Sequence, residues 1–174
     1  MLALKMISSV LVIASSAGIG MYFSSTLKER LETIRELKKV MLLLRGNITY
    51  SNATLPEALN SIANRQKGEL KDFLSYVSSE LYQMNGKTAA EIWKNGVELM
   101  LKESALSKKD KESLIQFGNG LGYLDREMQL GTIDFYIASL ETDMDEIQRT
   151  KREKTYLYNS LGVMGGIFLT IIFI

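Results

Sequence analysis

The sequence predicts an all-α protein, in which a six-helix cytoplasmic bundle lies between an N-terminal and a C-terminal transmembrane helix. Apolar residues recur three or four positions apart through most of the 174 residues. Leu, Glu and Lys are abundant and there is one proline, which favours helix over sheet. A long uncharged stretch stands at each end of the chain. We therefore predict three segments: a span at 4–27, a bundle at 28–154 and a span at 155–174.

The N-terminal stretch is uncharged over residues 6–27, which is long enough to cross a bilayer. Lys28, Arg30 and Arg35 follow it, and such a basic flank stays on the cytoplasmic side. We expect an uncleaved signal anchor. The alternative is a cleaved secretory signal, because Lys5, an apolar core and small residues imitate its parts.

The C-terminal stretch carries no charge over residues 155–174. Twenty helical residues at about 1.5 Å each span roughly 30 Å, the thickness of the hydrocarbon core. A second basic flank precedes it: Arg149, Lys151, Arg152 and Lys154. Since both basic flanks face the middle of the chain, we expect both termini outside and residues 28–154 in the cytoplasm.

Coiled-coil-like seams mark the first and last helices of the bundle. The first seam is Leu27, Leu31, Ile34, Leu37, Met41, Leu44 and Ile48, and Gly46 is expected to weaken its end. The last seam is Leu130, Ile133, Ile137, Leu140, Met144 and Ile147. These two helices are predicted to be legs that continue into the spans, with four shorter helices between them.

Helix starts divide the region between the legs. Thr54 to Glu57 and Thr88 to Glu91 have the spacing of capping boxes, and Ser107 begins another helix. Gly68 separates the second and third helices, and Asn85-Gly86 is expected to end the third in a left-handed turn. The predicted inward faces include Leu59 and Ile62, Phe73 and Val77, Trp93 and Val97, and Leu114, Phe117 and Leu121.

Several function classes are disfavoured by composition. The chain has no cysteine and no histidine, which excludes disulfides, thiolate nucleophiles, imidazole catalysis and Cys/His zinc sites. Residues 28–154 carry 20 basic and 20 acidic side chains, so no net field favours nucleic acid. Gly118, Gly120 and Gly122 lack the preceding strand and following Lys of a phosphate loop, and indicate close packing instead. We expect no enzyme activity, cofactor or resident metal.

Two charged groups are the candidate partner contacts. Lys108, Lys109 and Lys111 form a basic group that is either plain solvated surface or a dock for an acidic partner. Glu141, Asp143 and Asp145, with Glu146, form an acidic group. A calcium or magnesium site is conceivable there, but no EF-hand spacing is present, so a solvated face or a partner contact is favoured. Asp125 has the position of a first-turn acid at a helix N-terminus.

The order of several short fragments resembles the stage III sporulation protein AB family of endospore-forming Firmicutes. The fragments in the bundle are Ile48-Thr49-Tyr50, Leu55-Pro56-Glu57-Ala58-Leu59, Thr88-Ala89, Trp93, Phe117-Gly118, Leu121-Gly122, Asp125 and Gln129. Those in the tail are Lys154, Tyr156, Leu161-Gly162 and Gly165-Gly166. The sequence departs from the pattern at Asn47, where an acid is expected, and at Leu124, where a small residue is expected. Those departures put in doubt any role for the two positions.

The resemblance implies a function that spacing does not give. Members look like the cytoplasmic domain of the F-type platform protein of type II secretion and type IV pilus systems, a small six-helix bundle. The family is implied to act in the mother cell, at the outer forespore membrane, in a channel joining the mother cell and the forespore. Its implied partners are a secretion-type hexameric ATPase, stage III sporulation protein AA, and other membrane proteins of that channel. Asp125 and Gln129 join the candidate contacts on this ground.

An alternative function is a small membrane-anchored sensor or regulator that transmits a signal through the two helical legs. The predicted topology leaves about five residues outside at one end and none at the other, which gives a sensor little to sense with.

Overall fold

The computed structural model describes residues 25–51, 53–83, 86–121 and 126–173, with side chains through residue 153. Over these residues it contains six α-helices, one π-helical segment and no strand, which confirms the all-α class and the helix count of the bundle. The helices are α1 (25–46), α2 (Leu55–Ala63), α3 (Gly68–Gln83), α4 (Ala89–Met100), α5 (Lys108–Asn119) and α6 (Arg126–Phe173), and the π segment is Asn47–Ser51.

The two predicted membrane spans fall largely outside this description. Residues 4–24 of the first span are not described, and the second is described only as backbone, which is helical to Phe173. Over the residues whose side chains the structure describes, no helix is both long and apolar enough to cross a bilayer. The spans therefore stay predictions.

Two compact units divide the chain. The larger, Glu32–Met144, is a helical bundle with its own core. The other comprises Met1–Leu31 and Asp145–Ile174, of which residues 25–31 and 145–173 are described.

The end of α1 shows how local chemistry changes a helix. The α-helix stops at Gly46, as the glycine predicted, and a π turn follows at Asn47–Ser51. The side chain of Asn47 donates to the carbonyl of Leu43 at 2.9 Å, and Thr49 Oγ1 donates to that of Arg45 at 2.8 Å. Because these side chains donate to carbonyl oxygens that backbone N–H groups would use in an α-helix, they favour the wider π-helical turn.

Three of the short helices begin as their sequences predict. In each of α2 and α4 a threonine precedes the helix, and its backbone N–H donates to a glutamate three residues on: Thr54 to Glu57 and Thr88 to Glu91, both at 2.8 Å. Helix α5 uses the shorter Asp110, whose carboxylate accepts from the Ser107 N–H at 2.8 Å. Gly86 has φ +75°, the left-handed conformation expected there, and its neighbour Asn85 lies outside the described residues.

An aromatic chain forms the centre of the bundle core. Phe73 meets Trp93 edge-on at 4.9 Å, Trp93 meets Phe117 at 5.4 Å, and Phe117 stacks on Tyr136 at 4.8 Å between ring centroids. Such pairs add about 0.5–1.5 kcal/mol each beyond the area they bury. The rings join α3, α4, α5 and α6 into one core. The predicted seam residues from Ile34 to Leu44 and from Ile133 to Leu140 are buried as well, whereas Leu27, Leu130 and Met144 are half-buried. Val40, which the seam omitted, is fully buried.

Helices α1 and α6 run antiparallel along the bundle, and two ion pairs set their register. Lys38 Nζ lies 2.7 Å from Glu141 Oε1, and Arg45 Nε lies 2.6 Å from Asp134 Oδ1. Residue numbers therefore rise on one helix as they fall on the other. The guanidinium of Arg126 also donates to the carbonyl of Thr49, near the end of this seam.

Candidate functional site

The basic group lies in the first turn of α5, where a helix dipole disfavours cations, so each lysine there needs a compensating contact. Lys111 Nζ donates to the carbonyl of Lys102 in the turn after α4, at 2.7 Å. Lys109 Nζ lies 3.3 Å from Asp143 Oδ1 on α6. Lys108 lies 3.8 Å from Glu112, but its side chain is 91% exposed. Lys108 is thus the member of the basic group most open to a partner.

The basic and acidic groups meet, which the sequence did not indicate. Lys109 and Asp143 are 34 positions apart, and their ion pair ties the start of α5 to the middle of α6. The side chain of Asp143 is only 12% exposed. A plainly solvated acidic face is therefore wrong for Asp143. Lys109 and Asp143, one member of each predicted group, therefore lie on one surface at the α5/α6 junction.

A buried phenol lies beneath that surface. Tyr136 is 4% exposed, and its hydroxyl has no hydrogen-bond partner among the described residues. Burial raises its pKa strongly, and the negative charges of Asp110 and Asp143 add to the rise. The phenol is therefore neutral at physiological pH and has no capacity as a base there.

The other candidate contacts are spread along α6. Glu141 pairs with Lys38 of α1 rather than with the basic group. Asp145 is exposed and belongs to the second unit. Gln129 Nε2 donates to the Leu121 carbonyl at 3.4 Å, which links the start of α6 to the end of α5. Asp125 lies outside the described residues. The structure thus brings Lys109 and Asp143 together and leaves Gln129 and Glu141 in separate contacts.

The described residues offer little to catalysis or metal binding. Within them, no three Asp or Glu side chains are grouped so as to hold a metal ion. The charged side chains at the α5/α6 junction are engaged in pairs and caps, and the one buried phenol is held neutral. This arrangement ties α5 to α6 and leaves Lys108 exposed to solvent.

Sequence reasoning missed two features of this region. Tyr136 is three positions after the buried seam residue Ile133, and this spacing puts both on one face of α6. The heptad-like pattern assigned that face to Ile137 and did not include Tyr136. Phe135, its neighbour, is 79% exposed, and no periodicity predicts an aromatic ring on the outer face of the helix. Pairing between residues far apart, as in Lys109 and Asp143, leaves no local pattern in the sequence.

Comparison with known proteins identifies the family. The model of the family described as stage III sporulation protein AB matches residues 5–174. The chain belongs to the stage III sporulation protein AB family. It is similar to Stage III sporulation protein AB of Bacillus subtilis (strain 168), with 24% identity over 169 residues, 97% of this chain and 98% of that protein.

A solved structure of a family member shows the same fold. The structure of Stage III sporulation protein AB superposes with a TM-score of 0.66 at 26% identity, covering 72% of this chain and 98% of the solved one. The resemblance read from the fragments between Ile48 and Gly166 is thereby confirmed. The family name refers to a stage of sporulation and to no reaction.

Proposed function

We propose that the protein is a membrane-anchored platform of a channel complex between mother cell and forespore. Its helical bundle engages a secretion-type hexameric ATPase on the cytoplasmic side. The observation that carries the proposal is a compact helical unit, Glu32–Met144, in a member of a sporulation family whose sequence has an uncharged stretch at each end. The bundle does not hydrolyse nucleotide; it is the part that the ATPase contacts.

The anchoring part of the proposal rests on sequence. Residues 6–27 and 155–174 are uncharged, and basic residues stand on the bundle side of both. Arg149 and Glu153, 3.4 Å apart, are the last ion pair among the side chains described before the second stretch. We assign the protein to the outer forespore membrane, with residues 28–154 in the mother-cell cytoplasm.

The contact part of the proposal rests on the α5/α6 junction. Lys108 is almost fully exposed, while Lys109 and Lys111 are held by Asp143 and by the Lys102 carbonyl. Ordered cations at the rim of a surface steer an acidic partner and set its orientation more than they add affinity. An acidic surface on the ATPase is the complement that this junction fits.

Cysteine labelling tests the topology, because the chain has no cysteine of its own. We would introduce Leu99→Cys, at a side chain 61% exposed on α4, and in a second variant Leu2→Cys. In vegetative cells made to express the chain, where it would lie in the cytoplasmic membrane, the proposal predicts that a membrane-impermeant maleimide labels Leu2→Cys in intact protoplasts and labels Leu99→Cys only after permeabilisation. Labelling of Leu99→Cys in intact protoplasts would overturn the topology.

A further inference from the structure

The outer face of α6 in the bundle has an unusual composition. Opposite the buried seam, four turns carry Met128, Gly131, Phe135, Ala138 and Thr142, all exposed and none charged. The face of a bundle helix that points away from the core is normally charged or strongly polar. Phe135 is 79% exposed and Met128 53%, so this face presents apolar area that a solvated helix does not need.

Helix α1 extends this apolar face. Leu42, 49% exposed, is four residues from Lys38 and three from Arg45, the two α1 residues that pair with α6. Ala138 has the same spacing on α6: it is four residues after Asp134 and three before Glu141, the two α6 residues of these ion pairs. In the antiparallel register Leu42 and Ala138 therefore lie at one level, between the two ion pairs. The result is an apolar centre with a charged rim, as in protein interfaces.

Each helix of this face contributes one sign of charge. Lys38 and Arg45 form a positive row on α1, and Asp134 and Glu141 form a negative row on α6. All four side chains keep solvent contact, from 27% for Lys38 to 54% for Glu141. The surface thus carries a positive row beside a negative row, with Leu42 and Ala138 at the level between the two ion pairs.

We propose that this α1/α6 face binds the same face of a second copy, about a two-fold axis parallel to the helices. That axis places α1 of each copy over α6 of the other, so that each positive row faces a negative row. A two-fold axis perpendicular to the helices would place like rows together, which repel. The charge pattern is therefore complementary to itself in one orientation only, the mark of an isologous interface.

The shapes of the two rows agree with this orientation. Gly46 follows Leu42 by one turn on α1, and nothing lies within 4 Å of a methyl group built on it. Because residue 45 pairs with residue 134, Gly46 and Phe135 lie at nearby levels. With α1 of one copy over α6 of the other, Phe135 faces the open surface at Gly46. An aromatic residue at the centre of a dimer face is a typical hot spot. The inference is independent of ATPase binding.

A charge-swap experiment tests the pairing and its orientation. The variant Lys38→Glu/Arg45→Glu/Asp134→Lys/Glu141→Lys keeps both intrachain pairs with their signs exchanged, which protects the fold. The 174-residue chain would be produced with two different tags and solubilised in mild detergent at low salt. One tag would be used to capture the chain, and the amount of the second tagged form retained with it would be measured. We expect the swapped chain to capture itself as well as wild type captures wild type. Capture between swapped and wild-type chains should fall about tenfold or more.

A second comparison uses Phe135→Ser, with Leu99→Ser as the matched control on α4. Phe135→Ser should weaken wild-type self-capture about tenfold, and Leu99→Ser should leave it unchanged. Equal capture in every combination, or none for wild type, would overturn the proposal. Stronger capture between swapped and wild-type chains than within either would overturn the parallel orientation. If circular dichroism shows that the swapped chain is unfolded, the comparison of self-capture between Phe135→Ser and Leu99→Ser is the deciding test. Unchanged self-capture by Phe135→Ser would then refute the interface.

Discussion

The indole ring of Trp93 lies directly over Gly118: a methyl group added to that glycine would overlap Trp93 Cδ1 and Cγ. The Trp93 Nε1–H also donates to the Leu114 carbonyl at 2.9 Å, which fixes the ring against α5. Gly118 thus permits α4 and α5 to approach closely enough for the tryptophan to be buried. Gly118 therefore serves packing, and so does Gly120, where an added methyl group would meet Thr132 Cγ2 at 2.6 Å; Gly122 lies outside the described residues.

Gly118→Ala should destabilise the bundle. The ring and its neighbours Phe73 and Phe117 must shift to admit the methyl group, and overpacking of a tight core costs about 1–3 kcal/mol. Gly131→Ala is the control, because nothing lies within 4 Å of a methyl group there and alanine is the better helix former. The control should be stabilised by about 0.5–1 kcal/mol. Denaturant unfolding followed by fluorescence of the one tryptophan measures both; equal effects would contradict the packing role.

Tyr136→Phe should leave the bundle as stable or more stable. The hydroxyl is buried and has no hydrogen-bond partner within the described part of the chain. An unpaired buried polar group costs about 1–3 kcal/mol, so removing it should gain about 1 kcal/mol. The stacking on Phe117 is kept. Tyr82→Phe, at a side chain 54% exposed, is the control and should change nothing. A loss of stability in Tyr136→Phe alone would show that the hydroxyl has a partner in solution.

The glutamates of the two threonine capping boxes predict how stability depends on pH. Hydrogen bonds from Thr54 and Thr88 lower the pKa of Glu57 and of Glu91 below their usual 4.5. The unfolded chain therefore binds these protons more readily than the folded one. The stabilisation that the ionised Glu57 and Glu91 give the folded state is complete above about pH 4.5, and it is lost as the pH falls through their folded-state pKa values. The melting temperature should therefore fall between pH 6 and pH 3. The double variant Glu57→Gln/Glu91→Gln should make this dependence on pH less steep. An unchanged slope in the double variant would contradict the assignment.

These residues also show how far the sequence determines the fold. Thr54, Thr88 and Ser107 begin helices as predicted, because capping depends on groups three residues apart. The seam residues from Ile34 to Leu44 are buried as predicted, because helical periodicity is local too. The π turn after Gly46 was not predicted, since it depends on which carbonyls the Asn47 and Thr49 side chains take.

The candidate site was less predictable than the fold. The basic and acidic groups were recognised as charged clusters, but their joining through Lys109 and Asp143 depends on how α5 packs on α6. Phe135 and Leu42 likewise belong to one surface only because two ion pairs set the register of α1 against α6. Contacts between distant positions of this kind follow from tertiary structure and leave no spacing in the sequence.

At the α5/α6 junction, Lys108, which is exposed, and Lys111, which is half-buried, should matter more to the ATPase than to the fold. Lys108→Glu/Lys111→Glu reverses the charge that faces solvent there, and we expect it to weaken ATPase capture about tenfold, mostly through slower association. Lys71→Glu, an exposed lysine on α3, is the matched control and should keep capture at the wild-type level. Equal loss in both variants would point to a general charge effect rather than to this surface.

Co-purification tests the central claim most directly. The tagged 174-residue chain would be extracted from sporulating-cell membranes in mild detergent, and the secretion-type ATPase, stage III sporulation protein AA, would be sought in the eluate. The platform account predicts that the ATPase co-elutes with the wild-type chain and is depleted with Lys108→Glu/Lys111→Glu. A folded, membrane-extracted chain that retains neither the ATPase nor other channel proteins would contradict the account.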